Sequence, residues 1–242
     1  MENNKKKQMA HDLELQTSIG VDTFIEKVPI NRFTETIDDK EKHSKPSSQM
    51  PKPPPLKQQE KFIKPEDILK DCLNLSDLYK KIINFKGSSL KKTATQIVFS
   101  DGNPLSKVML VGEAPGAEED KFGKPFVGVS GQLLDKMLNA ISLNRKKVYI
   151  TNIIPWRPPG NRTPTDYEIE TFKPFLLKHI ELINPKVIIA VGGSAAKALL
   201  EINDGILRNR GIWKKLVIND KIKIDIIATL HPAYLLRSPS QK

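Results

Sequence analysis

Cysteine is almost missing from this chain: Cys72 stands alone among 242 residues. One thiol cannot close an intrachain disulfide or supply the ligand set of an iron–sulfur cluster. Histidine is nearly as scarce, and its four copies at positions 11, 43, 179 and 231 are too scattered to suggest a structural metal site. Long apolar runs are absent too. No stretch approaches the roughly 18 residues of a membrane span, so no membrane association is expected. The N-terminal stretch MENNKKKQMAHDLELQ has lysines but no apolar segment of a secretory signal. Together these absences lead to the expectation of a soluble, cytoplasmic protein.

What the chain has in excess is positive charge, +11 overall. Residues 1–60 carry ten Lys/Arg and ten Asp/Glu, which cancel, whereas residues 61–242 carry 29 and 18. The surplus belongs to the later part. A basic body behind a neutral tail suggests a polyanion partner, and plain solubility is the competing reading of the same charge.

The composition also divides the chain. Residues 34–60, with KPSSQMPKPPPLKQQEK, are rich in Pro, Lys and Gln and have little to bury, which predicts a disordered linker. Before it, MAHDLELQTSIG suits a short helix ending near Gly20. Residues 1–60 therefore read as an N-terminal extension and 61–242 as the folded domain, whose first helical spacing (Ile68, Leu75, Leu78, Ile82) starts near Pro65. From there, apolar runs and helical patterns alternate. KVMLV, KVYITNII, KVIIAVG, KLVI and KIDIIATL read as strands; GQLLDKMLNAI, TPTDYEIETFKPFLLKHIELI and SAAKALLEI read as helices. The predicted fold class is α/β, a mainly parallel central sheet with helices on both faces. Sites in such sheets lie beyond the carboxyl ends of the strands. Here that rim collects GEAPG, Asn152 with PWRPPGNR, GGS and HPAYLLR.

Each motif has more than one reading. VGEAPGAEEDKFGKPFVG is neither a G-x-G-x-x-G nor a P-loop, and Glu118, Glu119 and Asp120 would repel phosphate. Gly112 and Gly116 allow close backbone approach, suited to holding a neutral carbonyl; a tight turn with solvated acids is the alternative. Phe126 fits a core plug or a platform for a flat ring. Asn152 fits a turn former or a reader of a pyrimidine edge. His231 fits a structural histidine or a donor to a developing anion. Arg157 and Arg162, on a stiff Pro-Gly loop, suit backbone phosphates.

Taken together, GEAPGAEEDKFGKPFVG, TNIIPWRPPGNRTP and HPAYLLR resemble the family 4 uracil-DNA glycosylases, from about Leu90 to the C-terminus. The resemblance implies the uracil-DNA glycosylase superfold and hydrolysis of the N-glycosidic bond of a uracil flipped out of DNA, in base excision repair. It implies that Gly112, Glu113 and Ala114 contact uracil, largely through backbone, that Phe126 stacks on it, that Asn152 reads its edge and that His231 approaches its O2. Glu119 matches a carboxylate that positions water, so Glu119 and His231 are the expected catalytic pair. Leu235, Leu236 and Arg237 are placed to wedge into the gap left by the flipped base. The expected partner is uracil-containing DNA, met by a monomer.

Two departures stand out. The family carries a four-cysteine [4Fe–4S] cluster, but its positions fall here on Phe85, Ser88, Trp156 and Phe172, so neither cluster nor metal is expected. The family also continues past HPAYLLR, which implies a C-terminal segment that a truncated chain would lack. Two other readings compete: a non-catalytic DNA-binding relative, and a nucleotide-phosphate module, against which the loop acids argue.

Overall fold

The computed structural model describes residues 65–200, 202, 204–219 and 221–242. The expected helix near Gly20 and the linker over 34–60 lie outside the described residues. In chain order the helices are α1 (Pro65–Leu69), α2 (Leu75–Asn84), α3 (Ala117–Phe122), α4 (Val129–Ala140), α5 (Asp166–Ile183), α6 (Gly193–Leu200), α7 (Ile206–Asn209) and α8 (Pro232–Arg237). The strands are β1 (Asp101–Gly102), β2 (Val108–Gly112), β3 (Tyr149–Asn152), β4 (Val187–Val191), β5 (Trp213–Ile218) and β6 (Ile222–Thr229).

The strands form one sheet in the order β1-β3-β2-β4-β6-β5. The inner four run parallel, while β1 on β3 and β5 on β6 are antiparallel edges. After β2 the chain adds β3 on one side and β4 on the other, so the order reverses at β2. That reversal opens a crevice at the carboxyl ends of the strands.

Period-two alternation divides the core between the faces. Met109 and Val111 of β2, with Tyr149 of β3, join a large cluster with α2, α5 and α6. Leu110 and Ile150 point the other way and pack with Leu134 and Leu138 of α4. Each large side chain buried this way contributes about 1.5–3 kcal/mol. Among the described residues no helix is long and apolar enough to cross a membrane.

Local chemistry sets the element ends. The helical spacing from Pro65 breaks into α1 and α2 because the Asn74 side chain accepts the Asp77 N–H at 2.9 Å and caps a new helix. Thr165 and Glu168 form a reciprocal capping box at the start of α5, and Asn184 ends it in the left-handed region. Where a turn with solvated acids was one expectation, the structure has the helix α3 and two buried acids. Asp120 accepts from Thr95 N–H and the Thr95 hydroxyl, both at 2.9 Å.

The four positions that the resemblance gives to cluster ligands lie in or against the large core. Phe85 and Phe172 meet edge to face at 6.0 Å and 74°, and Phe175 sits 5.0 Å and 6.0 Å from them. Trp156 is buried in the same cluster. Ser88 lies half-buried at the margin, its hydroxyl accepting the Leu90 N–H at 3.3 Å. Three aromatic side chains and one hydroxyl do not fit a cube that needs four thiolates.

Candidate active site

The four rim segments converge as the alternation predicts. They enclose a cleft of about 470 Å³ lined by Glu113, Ala114, Glu119, Phe126, Asn152, Arg162, His231 and Arg237, among others. Each wall comes from a different strand end, so the sheet register fixes their relative placement.

Gly112, expected to touch substrate, does not reach the cleft. It closes β2 directly behind the wall, where a Cβ would collide with the Asn152 side chain and lie 2.6 Å from the Phe126 ring. Its role is to make room. The carbonyls of Gly112 and Glu113 accept Ile153 N–H at 2.9 Å and Ile154 N–H at 3.1 Å. Those two oxygens are therefore occupied, and Ala114 N–H is left without an acceptor among the described residues. The Glu113 carboxylate accepts the Ser194 hydroxyl at 2.5 Å, tying the first loop to α6. The sequence reading marked GGS as a rim segment but missed this tie, because nothing local announces a pair so far apart in the chain.

Glu119 lines the cleft with most of its carboxylate engaged. Oε1 accepts Val127 and Gly128 N–H, both at 2.9 Å, and Oε2 accepts Gly116 N–H at 3.1 Å. Of about four acceptor directions on a carboxylate, one on Oε2 is left. Glu119 thus staples the first loop shut and retains a single direction toward the cleft.

Phe126 and Asn152 are both buried at the wall. The Asn152 amide makes no hydrogen bond to the described residues, which leaves a donor and an acceptor side by side. His231 precedes α8 and caps it: Nδ1 accepts Ala233 N–H at 3.1 Å. That bond assigns the ring proton to Nε2. Burial first, and then the charge of Arg237, push the imidazole down to about 4, with Glu119 opposing. At pH 7 the ring is neutral, and on a residue lining the cleft it has one N–H to give.

The expected DNA contacts fare unevenly. Arg162 reaches the cleft, but its fork is bidentate with Glu168 at 2.7 and 2.8 Å, which holds that carboxyl down at about 2. Arg157 is outside the cleft lining; its Nε donates to Asn161 at 2.7 Å, and Asp120 lies 3.9 Å away. Leu235 cannot serve as a wedge where it stands, because it is buried as α8 packs on α4. Leu236 is exposed. Arg237 lines the cleft and carries no ion pair among the described residues.

The family model of the uracil DNA glycosylase superfamily matches residues 99–242. A type-4 uracil-DNA glycosylase of Pyrobaculum aerophilum is 39% identical over 171 residues, which cover 69% of this chain and 87% of that one. Its counterpart in Archaeoglobus fulgidus is 39% identical over 170 residues, 69% and 85% of the two chains. That of Thermotoga maritima is 42% identical over 149 residues, 61% and 76%. Matches of this length, over the segments that build the cleft, carry one conclusion: the chain belongs to the uracil-DNA glycosylase superfamily, in its type-4 branch.

Proposed function

We propose that this chain removes uracil from DNA, with the cleft as its base pocket. The observation that carries the assignment to this cleft is the pair of unengaged side-chain groups on its wall, the Asn152 amide and the His231 Nε2–H. Uracil presents an N–H beside a carbonyl on its pairing edge, and an amide matches both. Cytosine inverts that pattern. Phe126 supplies the flat face on which the base stacks.

The base must first leave the duplex, at a cost of a few kcal/mol. Exposed Leu236 is the side chain that fills the gap, and Arg237 takes a flanking phosphate. Rupture of the glycosidic bond sends the electron pair to uracil and leaves a cationic sugar. The neutral His231 donates from Nε2 to the base's O2 as negative charge grows there. The remaining acceptor direction of Glu119 and the DNA phosphates favour the cation. Water then supplies hydroxide to the sugar carbon, and its proton neutralises the departed base.

No iron–sulfur cluster enters this reading, because Phe85, Ser88, Trp156 and Phe172 offer no thiolate. One chain supplies every group named, so the working unit is taken as a monomer acting in the cytoplasm. The body from residue 61 onward is the catalytic domain, and residues 1–60 are an extension to it.

A uracil-containing oligonucleotide treated with the protein and then alkali tests the reading: strand cleavage at uracil is expected. Asn152→Asp should lower that cleavage by about a hundredfold or more, since a site built to bond an N–H and a carbonyl loses one partner. Undiminished cleavage by Asn152→Asp would remove Asn152 from the pocket.

A further inference from the structure

Phe126 is held in an unusual backbone conformation. Its φ is 55°, in the left-handed region that bulky side chains rarely adopt. Local sequence does not demand this, so something outside the loop must impose it. Two contacts do. On one side Gly131 of α4 packs against the Phe126 carbonyl so tightly that any Cβ would overlap it. On the other, the Arg145 guanidinium reaches across: Nη2 donates to the Phe126 carbonyl and Nη1 donates to the Pro125 carbonyl at 3.1 Å.

The remaining edges of that guanidinium are anchored. Nη1 also donates to Asp101 of β1 at 2.8 Å, and Nε donates to Asp135 of α4 at 2.8 Å. One planar group therefore joins an edge strand, a helix and two successive loop carbonyls. A structural ion pair would need only one of the carboxylates. Here two donors are directed at the residue in the rare conformation and its predecessor, in a fork geometry that a lysine point charge cannot reproduce.

We propose that Arg145 is a positioning residue for base recognition, acting through Phe126. By fixing the Pro125 and Phe126 carbonyls it sets the ring in the cleft wall, 5.5 Å from the His231 ring and 29° from parallel to it. The slot beside the ring then fits a flat pyrimidine before any base arrives. This rests on the reading that Phe126 stacks on uracil.

The test uses the full chain with Arg145→Ala, Arg145→Lys, Phe126→Ala and the Arg145→Ala/Phe126→Ala double variant. Free uracil is titrated as an inhibitor, and single-turnover excision is followed at saturating enzyme. Arg145→Ala should weaken uracil binding by about tenfold, the size of one lost base–aromatic stack. Phe126→Ala should do the same, and the double variant should be no worse, because both changes remove one unit. Arg145→Lys should behave like Arg145→Ala, and millimolar guanidinium should rescue Arg145→Ala but not Phe126→Ala. Multiplying effects in the double variant, or wild-type uracil affinity in Arg145→Ala, would overturn the proposal.

Should Arg145→Ala fail to fold, Asp135→Asn loosens the same guanidinium and should show the same coupling to Phe126→Ala. A readout apart from activity separates this inference from the functional one. With 4-fluorophenylalanine in place of phenylalanine, the resonance assigned to Phe126 should shift or broaden in the Arg145 or Asp135 variant. An unmoved resonance sinks the clamp. A shifted resonance in a protein that neither excises nor binds uracil sinks the functional reading and leaves the clamp.

Discussion

Two histidines of this molecule stand in nearly matching surroundings. At the rim His231 stacks beside Phe126, and in the core His179 stacks beside Phe99, 4.6 Å away at 19°. Burial is the main reason that both imidazoles are pushed down from about 6.5, one to about 4 and the other to about 3. The difference lies in the outer nitrogen. His179 Nε2 meets the Tyr149 hydroxyl at 2.7 Å inside the core. His231 Nε2 has no partner among the described residues. A depressed pKa and a stacked ring therefore report burial, whereas unengaged hydrogen-bonding capacity at a cleft reports chemistry.

The contrast between rim and core can be pressed from both sides. The largest effect is expected in the core, where Trp156→Ala should cost about 3–5 kcal/mol in urea unfolding if its ring supports the aromatic cluster. A cost under about 1 kcal/mol would mean that the cluster stands without it. Next, His231→Ala should slow single-turnover excision by about 2–4 kcal/mol of barrier while DNA affinity holds. A loss confined to binding would put His231 in the same class as His179. The wild-type rate should stay flat as pH falls from 7 and change only as it nears about 4, where a second proton on Nδ1 breaks the cap from Ala233 N–H that orients the ring.

A smaller change is expected at His179. Replacing it with Phe takes the His179 partner from the Tyr149 hydroxyl and leaves it only the Ser100 side chain, a loss of about 1 kcal/mol of stability with the excision rate unchanged. It should also flatten the acid limb of the stability curve. The unfolded histidine takes a proton near 6.5, well above the folded value of about 3. Its contribution is thus complete above about pH 6.5 and lost as pH falls toward 3. Denaturant midpoints across that range check the sign. The smallest effect concerns charge at the rim. Arg237→Ala should lower the salt dependence of DNA binding by about one unit of slope. Arg162→Ala should lower it less, because Glu168 already faces that guanidinium. Equal changes would show that the ion pair opens on DNA.

The sheet and the cleft were readable because their signals are local. β2, β3 and β4 are short apolar runs, and the strand-end rule then gathered the segments that hold Glu113, Asn152 and His231, while Phe126 was marked by its loop motif and the family resemblance. What escaped depends on phase or on distance. Leu235 and Leu236 are adjacent and alike, and only the packing of α8 on α4 buries the first and exposes the second. Arg162 looked like a phosphate contact until the turn into α5 brought Glu168 under its fork. Arg145 is one of many cations, and its partners Asp101, Asp135 and Phe126 are scattered along the chain. The antiparallel edges were equally hidden, since a strand's residues do not state its direction.

The bond from Ala233 N–H to His231 Nδ1 joins two tasks that are separate in time. α8 begins at that cap and ends at Leu236 and Arg237. Any tilt of this short helix would carry the imidazole with it, as a lever carries its far arm. On the proposed reading, probing the duplex and bringing up the hydrogen-bond donor would then be one movement, with no later search by the histidine for its tautomer.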